Sequence, residues 1–413
     1  MVAHVFTWTA RPPRVVSRAG LFAAVLVLLI VPTAGAEISQ TVTLETTHAL
    51  TRGAEDDLLA VANGRAELDL HSAGSRYVRG RLQLRAEVDS TDATSELEIP
   101  RAFIKARFPL TEQSYFHLTT GRTRLTWGDG AFFNAGDTLF GTLAENPDFT
   151  SDTIRDETGW LAAGFFPLGR FSFVEPVVLV PLPGEDPATA STSRSGLPPA
   201  DDTAAGLRVQ GKISGLKAEA SYLFRGRESY HQPAVSFQGH LGIDWYAGAT
   251  TRIPGPDTRL DPAGTADAAR EAAAFTAGLL HIEKGRSGQS LTLRLEGLVR
   301  PWKDWSESPD TATTAAAGTA GAEAETAPAR TEYGLQVFPE IIWQPATSLQ
   351  FYLRSVVSPI DASALIVPGT SWAPYNALTL SLFAAVQAGE VDDVYGWERP
   401  GGASVITSLR YVY

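Results

Sequence analysis

Basic residues recur at even spacing in two neighbouring stretches: Arg79, Arg81 and Arg85, then Arg101, Lys105 and Arg107. In extended backbone, side chains alternate sides, so intervals of two and four put each set on one face. Cations aligned in this way attract anionic or polar solutes. The next conspicuous stretch is Gly121–Asp137, GRTRLTWGDGAFFNAGD, where Arg122, Arg124, Trp127, Asp129, Asn134 and Asp137 sit among glycines. Carboxylates continue at Glu145, Asp148, Asp152 and Asp156. With Asp129 and Asp137 they are candidates to face the basic rows. Asp129, Asn134 and Asp137 are hard oxygen donors, but their spacing departs from an EF-hand loop, so neither a metal site nor a cofactor is expected. His117 has no G-x-S-x-G nucleophile near it, and no catalysis is expected.

The elements that must position these residues read as strands. Over Tyr77–Asp89, Val78, Gly80, Leu82, Leu84, Ala86 and Val88 alternate with Arg79, Arg81, Gln83, Arg85, Glu87 and Asp89. The same period of two returns at Leu207–Ile213, Leu216–Phe224 and Leu291–Arg300, with Arg208, Lys217, Glu219, Arg294 and Glu296 on the polar side. One face is thus almost wholly apolar and the other stacks charge upon charge. Segments of about 10 residues with this pattern are the signature of a transmembrane β-barrel with a wet lumen. An Arg on the lipid side at mid-depth would cost about 2–4 kcal/mol, which puts the basic rows on the lumen side. The alternation of Phe116 and Leu118, extended, sends Arg122 and Arg124 outward. Either Gly121 carries a bulge that swaps the faces, or the chain there already stands above the membrane.

Eighteen strands can be placed between residues 38 and 413, with 16 as the fallback if 232–240 and 242–252, or 361–368, are not separate strands. The fifth spans 113–127, and Gly369–Pro374 reads as the turn after 361–368. Short connections then alternate with long ones at 128–157, 183–202, 253–271, 302–330 and 389–402, as they do between the inner and outer sides of bacterial barrels. An even count puts both termini on the periplasmic side. Trp302–Arg330 is Ala/Thr-rich and too poor in large apolar residues to bury a core. Tyr222, Phe224, Trp245, Tyr246, Trp343, Tyr352, Trp372 and Trp397 fall near segment ends, as interfacial girdle residues do.

Residues 1–36 stand apart. Arg11, Arg14 and Arg18 precede the apolar run Leu21–Val31, and Ala34-Gly35-Ala36 supplies small residues before Glu37. This reads as a cleaved signal peptide, leaving 37–413 as one barrel domain. The apolar run is shorter than the roughly 20 residues of a spanning helix. The chain has 0 Cys, which fits an exported protein. Its net charge of −12 argues against a nucleic-acid partner.

These features together resemble bacterial outer-membrane porin-like barrels. In residues, the resemblance rests on two places. One is Gly121-Arg122, Trp127-Gly128-Asp129-Gly130, Asn134 and Asp137. A similar "GR…WG.G…N..D" segment follows an early strand in several families of large barrels, some of them linked to polysaccharide export. Those families commonly place Pro after the Asn, where this chain has Ala135. The other is the terminal strand with Leu409, Tyr411 and Tyr413 on one face, which resembles the closing strand recognised by the barrel assembly machinery. The resemblance implies an outer-membrane all-β antiparallel barrel through which small hydrophilic solutes diffuse. It also implies that the long 128–157 loop folds inward to narrow the lumen. A surface barrel acting as an adhesin, or in polysaccharide binding or export, is the alternative. Lipid and the assembly machinery are the expected partners, and oligomerisation is left open.

Overall fold

The computed structural model describes residues 38–413, apart from 53–57, 73–76, 91–94, 112–113, 144–146, 152, 181–202, 227–228, 256–261, 304, 306–332, 391–392 and 396–401. The signal-peptide reading, Glu145, Asp152, Trp397, the whole 183–202 loop and most of the 302–330 loop therefore lie outside the described residues.

One antiparallel sheet closes on itself. Its first nine strands are β1 (Ile38–Arg52), β2 (Leu58–Ser72), β3 (Val78–Asp89), β4 (Ser95–Pro109), β5 (Tyr115–Thr123), β6 (Gly159–Pro167), β7 (Phe173–Leu179), β8 (Ala204–Ile213) and β9 (Leu216–Arg225). The rest are β10 (Tyr230–His240), β11 (Asp244–Thr250), β12 (Ile253–Pro254), β13 (Ala274–Lys284), β14 (Ser290–Val299), β15 (Leu335–Ala346), β16 (Leu349–Ser358), β17 (Ser363–Tyr375), β18 (Leu378–Ala388) and β19 (Ala403–Val412). A helix, α1 (Pro262–Glu271), stands in the connection after β12. β11 and β12 both pair with β10, so they are two pieces of one stave and the ring has 18 staves. Closure is made by β1 against β19, from Thr43 opposite Val412 to Arg52 opposite Ala403. Reciprocal backbone hydrogen bonds of 2.8 Å between Val42 and Tyr413 extend it by one rung. Leu409 and Tyr411 lie opposite Thr46 and Leu44 on the outward face. Closure leaves no sheet edge, the condition for strands to cross hydrocarbon.

The side chains follow the pleat. Leu97, Ile104, Phe108, Val178, Leu207, Val235, Leu295 and Leu382 are exposed on the outside, as a lipid-facing surface requires. Inward positions across β1–β4 carry Glu45, Arg65, Glu67, Asp69, Arg81, Arg85, Glu98 and Arg101.

Three sequence expectations are corrected. β5 ends at Thr123 rather than 127, because the chain leaves the sheet to enter the lumen. Gly369–Pro374 is not a turn: β17 runs through it to Tyr375, and Gly369 is there because the Tyr352 ring lies across it, where a Cβ would sit 2.2 Å from Cζ. Tyr246 and Tyr352 are not girdle residues. They face inward, and Tyr246 covers Gly278 in the same manner. An aromatic ring laid over a cross-strand glycine keeps that glycine's bare backbone from water.

Candidate functional site: a loop lodged in the lumen

The chain between β5 and β6 fills part of the ring. Its first anchor is Trp127, fully buried among Leu161, Val177, Ala204 and Leu223, inward residues of β6 to β9. Its second is Phe132 and Phe133, packed on Ala274, Leu298, Phe338 and Val356 of β13 to β16. Phe132 stacks on Phe338 with ring centroids 4.9 Å apart. Each such buried ring contributes on the order of 2–3 kcal/mol. Tyr395, after β18, packs on the same cluster.

Between the anchors the loop is held through its backbone. The Glu296 carboxylate accepts hydrogen bonds from the N–H groups of Ala131, Phe132 and Phe133 at 2.8, 2.9 and 2.9 Å. Glu219 accepts from Gly128 N–H at 2.6 Å, and Thr276 Oγ1 from Ala135 N–H at 3.1 Å. Arg225 donates to Leu139 O at 2.8 Å. Arg354, fixed by Glu340 at 2.8 Å, donates to the carbonyls of Phe149 and Ser151. Hydrogen bonds to charged groups are the strong kind, about 1.5–3 kcal/mol each. A segment with no helix or strand of its own is thus satisfied by side chains from distant staves.

The motif residues build this shape. Gly128 has φ +68°, and a Cβ there would lie 2.5 Å from Asn134 Oδ1 and 2.6 Å from Gly136 Cα, so only glycine lets the two arms of the turn meet. Asn134 donates to Trp127 O at 2.9 Å and accepts from Gly136 N–H at 3.1 Å. Trp127 donates its indole N–H to Glu175 at 3.0 Å, while Arg208 neutralises Glu175. Asp137 accepts from Leu139 and Phe140 N–H and pairs with Arg155 at 3.3 Å, both side chains buried. Burial pushes the Asp137 carboxyl up to about 6 despite Arg155.

Asp129 and Asp137 do not face the basic rows. Asp129 is bound by Lys217 of β9 at 2.9 Å, and Asp137 turns into the loop itself. Asp156 meets Arg101, and Asp148 lies within electrostatic reach of Arg65. Arg122 does not enter the lumen with the loop, whereas Arg124 lies within electrostatic reach of Glu157, Arg155, Asp156 and Asp137. The β5 register runs through Gly121 without a shift, setting Arg122 opposite Ala102 and Trp160 on the outward side, bonded to Thr158 at 3.2 Å. Arg124 stands at the loop's root, bonded to Thr126. The bulge lies one strand earlier, in β4 between the Gln83–Arg101 and Arg85–Glu98 rungs, and it keeps both Glu98 and Arg101 inward. Pro100, which has no N–H to give a ladder, falls within it.

Half of the basic rows, Arg81, Arg85 and Arg101, is paired with carboxylates. Arg81 is bidentate to Asp69 at 3.0 and 2.5 Å. Arg85 lies 3.5 Å from Glu67 and 3.6 Å from Glu98. Among the described residues, no carboxylate lies within ion-pair distance of Arg79, Lys105 or Arg107. Of the acids that hold the loop, Glu219 and Glu296 read from the alternation as lumen-side residues, while Glu175 and Glu340 were not singled out by the sequence. The apolar residues at inward positions, Leu223, Leu298 and Phe338, are the signal that something packs there.

Solved structures with this architecture cover nearly the whole chain. They include Acinetobacter baumannii OccAB3, with TM-score 0.54, 8% identity, and 91% of this chain and 99% of that one aligned. A. baumannii OccAB4 gives 0.52 and 10%, with 93% and 100%. A triple mutant of Rhodopseudomonas blastica porin gives 0.43 and 12%, with 91% and 100%. In fold, the chain resembles the bacterial porins. No family profile and no curated protein sequence matches it.

Proposed function

We propose that the chain is an outer-membrane channel through which small hydrophilic solutes diffuse, narrowed by the loop between β5 and β6. The observation that carries this is a closed ring, apolar outside and charged inside, with a loop bonded to one side of its lumen. The bonds described above tie the loop to β7–β9 and β13–β16, with Arg101 on β4 as a further contact. On this reading solutes pass between the loop and the wall formed by β17–β19 and β1–β5, where Arg65, Arg81, Arg85 and Arg101 stand among Glu45, Glu67, Asp69 and Glu98. Charges of both signs at a narrow point set ion preference and orient polar solutes. The porin-type neighbours are consistent with a channel rather than an enzyme, and the even number of staves supports placing both termini on one side, the periplasmic one on this reading. No feature of the described residues favours the adhesin alternative.

Reconstitution in planar bilayers tests this. Discrete conductance steps are expected. Substituting Lys105 and Arg107 together by Gln shifts the selectivity toward cations, because these charges have no carboxylate partner to release. Absence of steps from protein that still shows heat-modifiable migration would sink the channel reading.

A further inference from the structure

At the short-turn end of the barrel, below the loop, a cavity of about 560 Å³ opens between β6 and β11. Its size is that of a small-molecule site. One wall is aromatic. His117 stacks on Phe165 at 5.5 Å, and Phe165 lies 4.6 Å from Phe173, so three rings follow one another across β5, β6 and β7. Phe171 adds a fourth face in the turn before β7. Arg170 and Lys212 lie over that ring, at 5.2 and 5.6 Å from its centroid.

The charge balance of the cavity is one-sided. Of the acids near it, Glu175 is paired with Arg208 and Asp129 with Lys217, which leaves Asp244, hydrogen-bonded to His240 at 2.8 Å, against Arg170 and Lys212. Among the described residues, neither Arg170 nor Lys212 has a carboxylate within ion-pair distance. Gln210 and Gln238 complete the lining with neutral hydrogen-bonding groups. On the neighbouring staves Lys105 and Arg107 exert their charge on His117, extending the positive field along the same tier. Arg208 lies over the Phe173 ring at 5.0 Å, so the exposed ring of the cavity is Phe171, beside two cations that have no carboxylate partner. That pairing selects a ligand that is at once anionic and flat. Water or an aliphatic anion satisfies the cations but leaves the exposed part of Phe171 uncovered, and an aromatic cation is repelled.

We propose that this vestibule is a binding site for aryl anions, with the ring of the solute against Phe171 and beside Phe165, and its anionic group between Arg170 and Lys212. The proposal deepens the channel reading and rests on it: the site is a station on the way through. Binding is nevertheless measurable without current. The folded full chain in detergent is titrated calorimetrically with benzenesulfonate, methanesulfonate and benzylammonium. Benzenesulfonate binds one per chain and about tenfold more tightly than methanesulfonate, an increment of the size ring stacking supplies. Benzylammonium gives no heat of binding. The R170Q/K212Q double variant weakens benzenesulfonate by about tenfold or more through loss of two nearby charges. Phe171→Leu narrows the aryl preference roughly threefold while sparing methanesulfonate. Heat-modifiable migration checks that each variant is folded. Equal affinity for the two sulfonates, or undiminished affinity in the double variant, overturns the proposal. Neither result touches the conductance test, and a silent bilayer would leave the binding result standing.

Discussion

At the scale of single residues, Asp137 links the loop to acidity. Its carboxyl titrates at about 6 when buried in the docked loop, against 3.8 ordinarily. The docked form therefore binds a proton between about pH 4 and 6 that a released loop does not. Stability of docking rises as pH falls from 6 toward 4 and is flat above 6. Protease cleavage of the loop in folded barrels, followed across that range, should slow with acidification in the natural chain. Asp137→Asn should reduce the slope. A slope of opposite sign would show that the Arg155 pair outweighs burial. How much of this was legible beforehand differs from residue to residue. The spacing of Arg81 and Arg85 placed them on the inward face, and the period of two is enough for that. Their neutralisation by Asp69, Glu67 and Glu98 depends on which rungs of β2, β3 and β4 come level, and one sequence does not fix the register. Asp137 looked like a lumen carboxylate because nothing local shows that Arg155, eighteen residues on, returns to cover it.

At the scale of elements, the loop is a structural part held by one buried carboxylate more than by any other group. Removing Glu296 leaves three backbone N–H groups without their acceptor, each costing about 1–3 kcal/mol if they stay dry. Glu296→Ala should release the middle of the loop, giving larger and noisier conductance and a new protease site near Ala131, with the barrel still folded. Glu296→Gln, which keeps an oxygen acceptor, should fall between. Unchanged conductance in Glu296→Ala would mean that the aromatic anchors suffice. The strands were read well because alternation is a local property. β5 and β17 were misjudged at one end each, for different reasons. The polar alternation of β5 continues past Thr123 although its hydrogen-bonding partners do not, and the glycine of β17 serves a ring on β16 rather than a turn. The docking of the loop was not legible, since Glu219, Thr276 and Glu296 lie 91 to 165 residues away in sequence and look like ordinary lumen-side groups.

At the scale of the whole molecule, the lodged loop has a mechanical consequence. It ties β7–β9 to β13–β16 through the interior, as a strut ties two points on a hoop. The described contacts of the loop with the arc from β17 through β19 and β1 to β3 are lighter. Tyr395 of the β18–β19 connection packs on the cluster of Phe132 and Phe133, and Asp148 lies within electrostatic reach of Arg65, beside ladder hydrogen bonds and a layer of mixed charge. Lateral pressure from the bilayer therefore does not squeeze the ring evenly: the braced arc keeps its curvature and the lightly braced one flattens. Because on the channel reading solutes pass along the lightly braced arc, the cross-section there should follow membrane tension while the loop stays still. Spin-label distances from β2 to β18 should broaden and shift with lipid packing, and distances from β8 to β14 should not. Equal response on both chords would show that the strut bears no load.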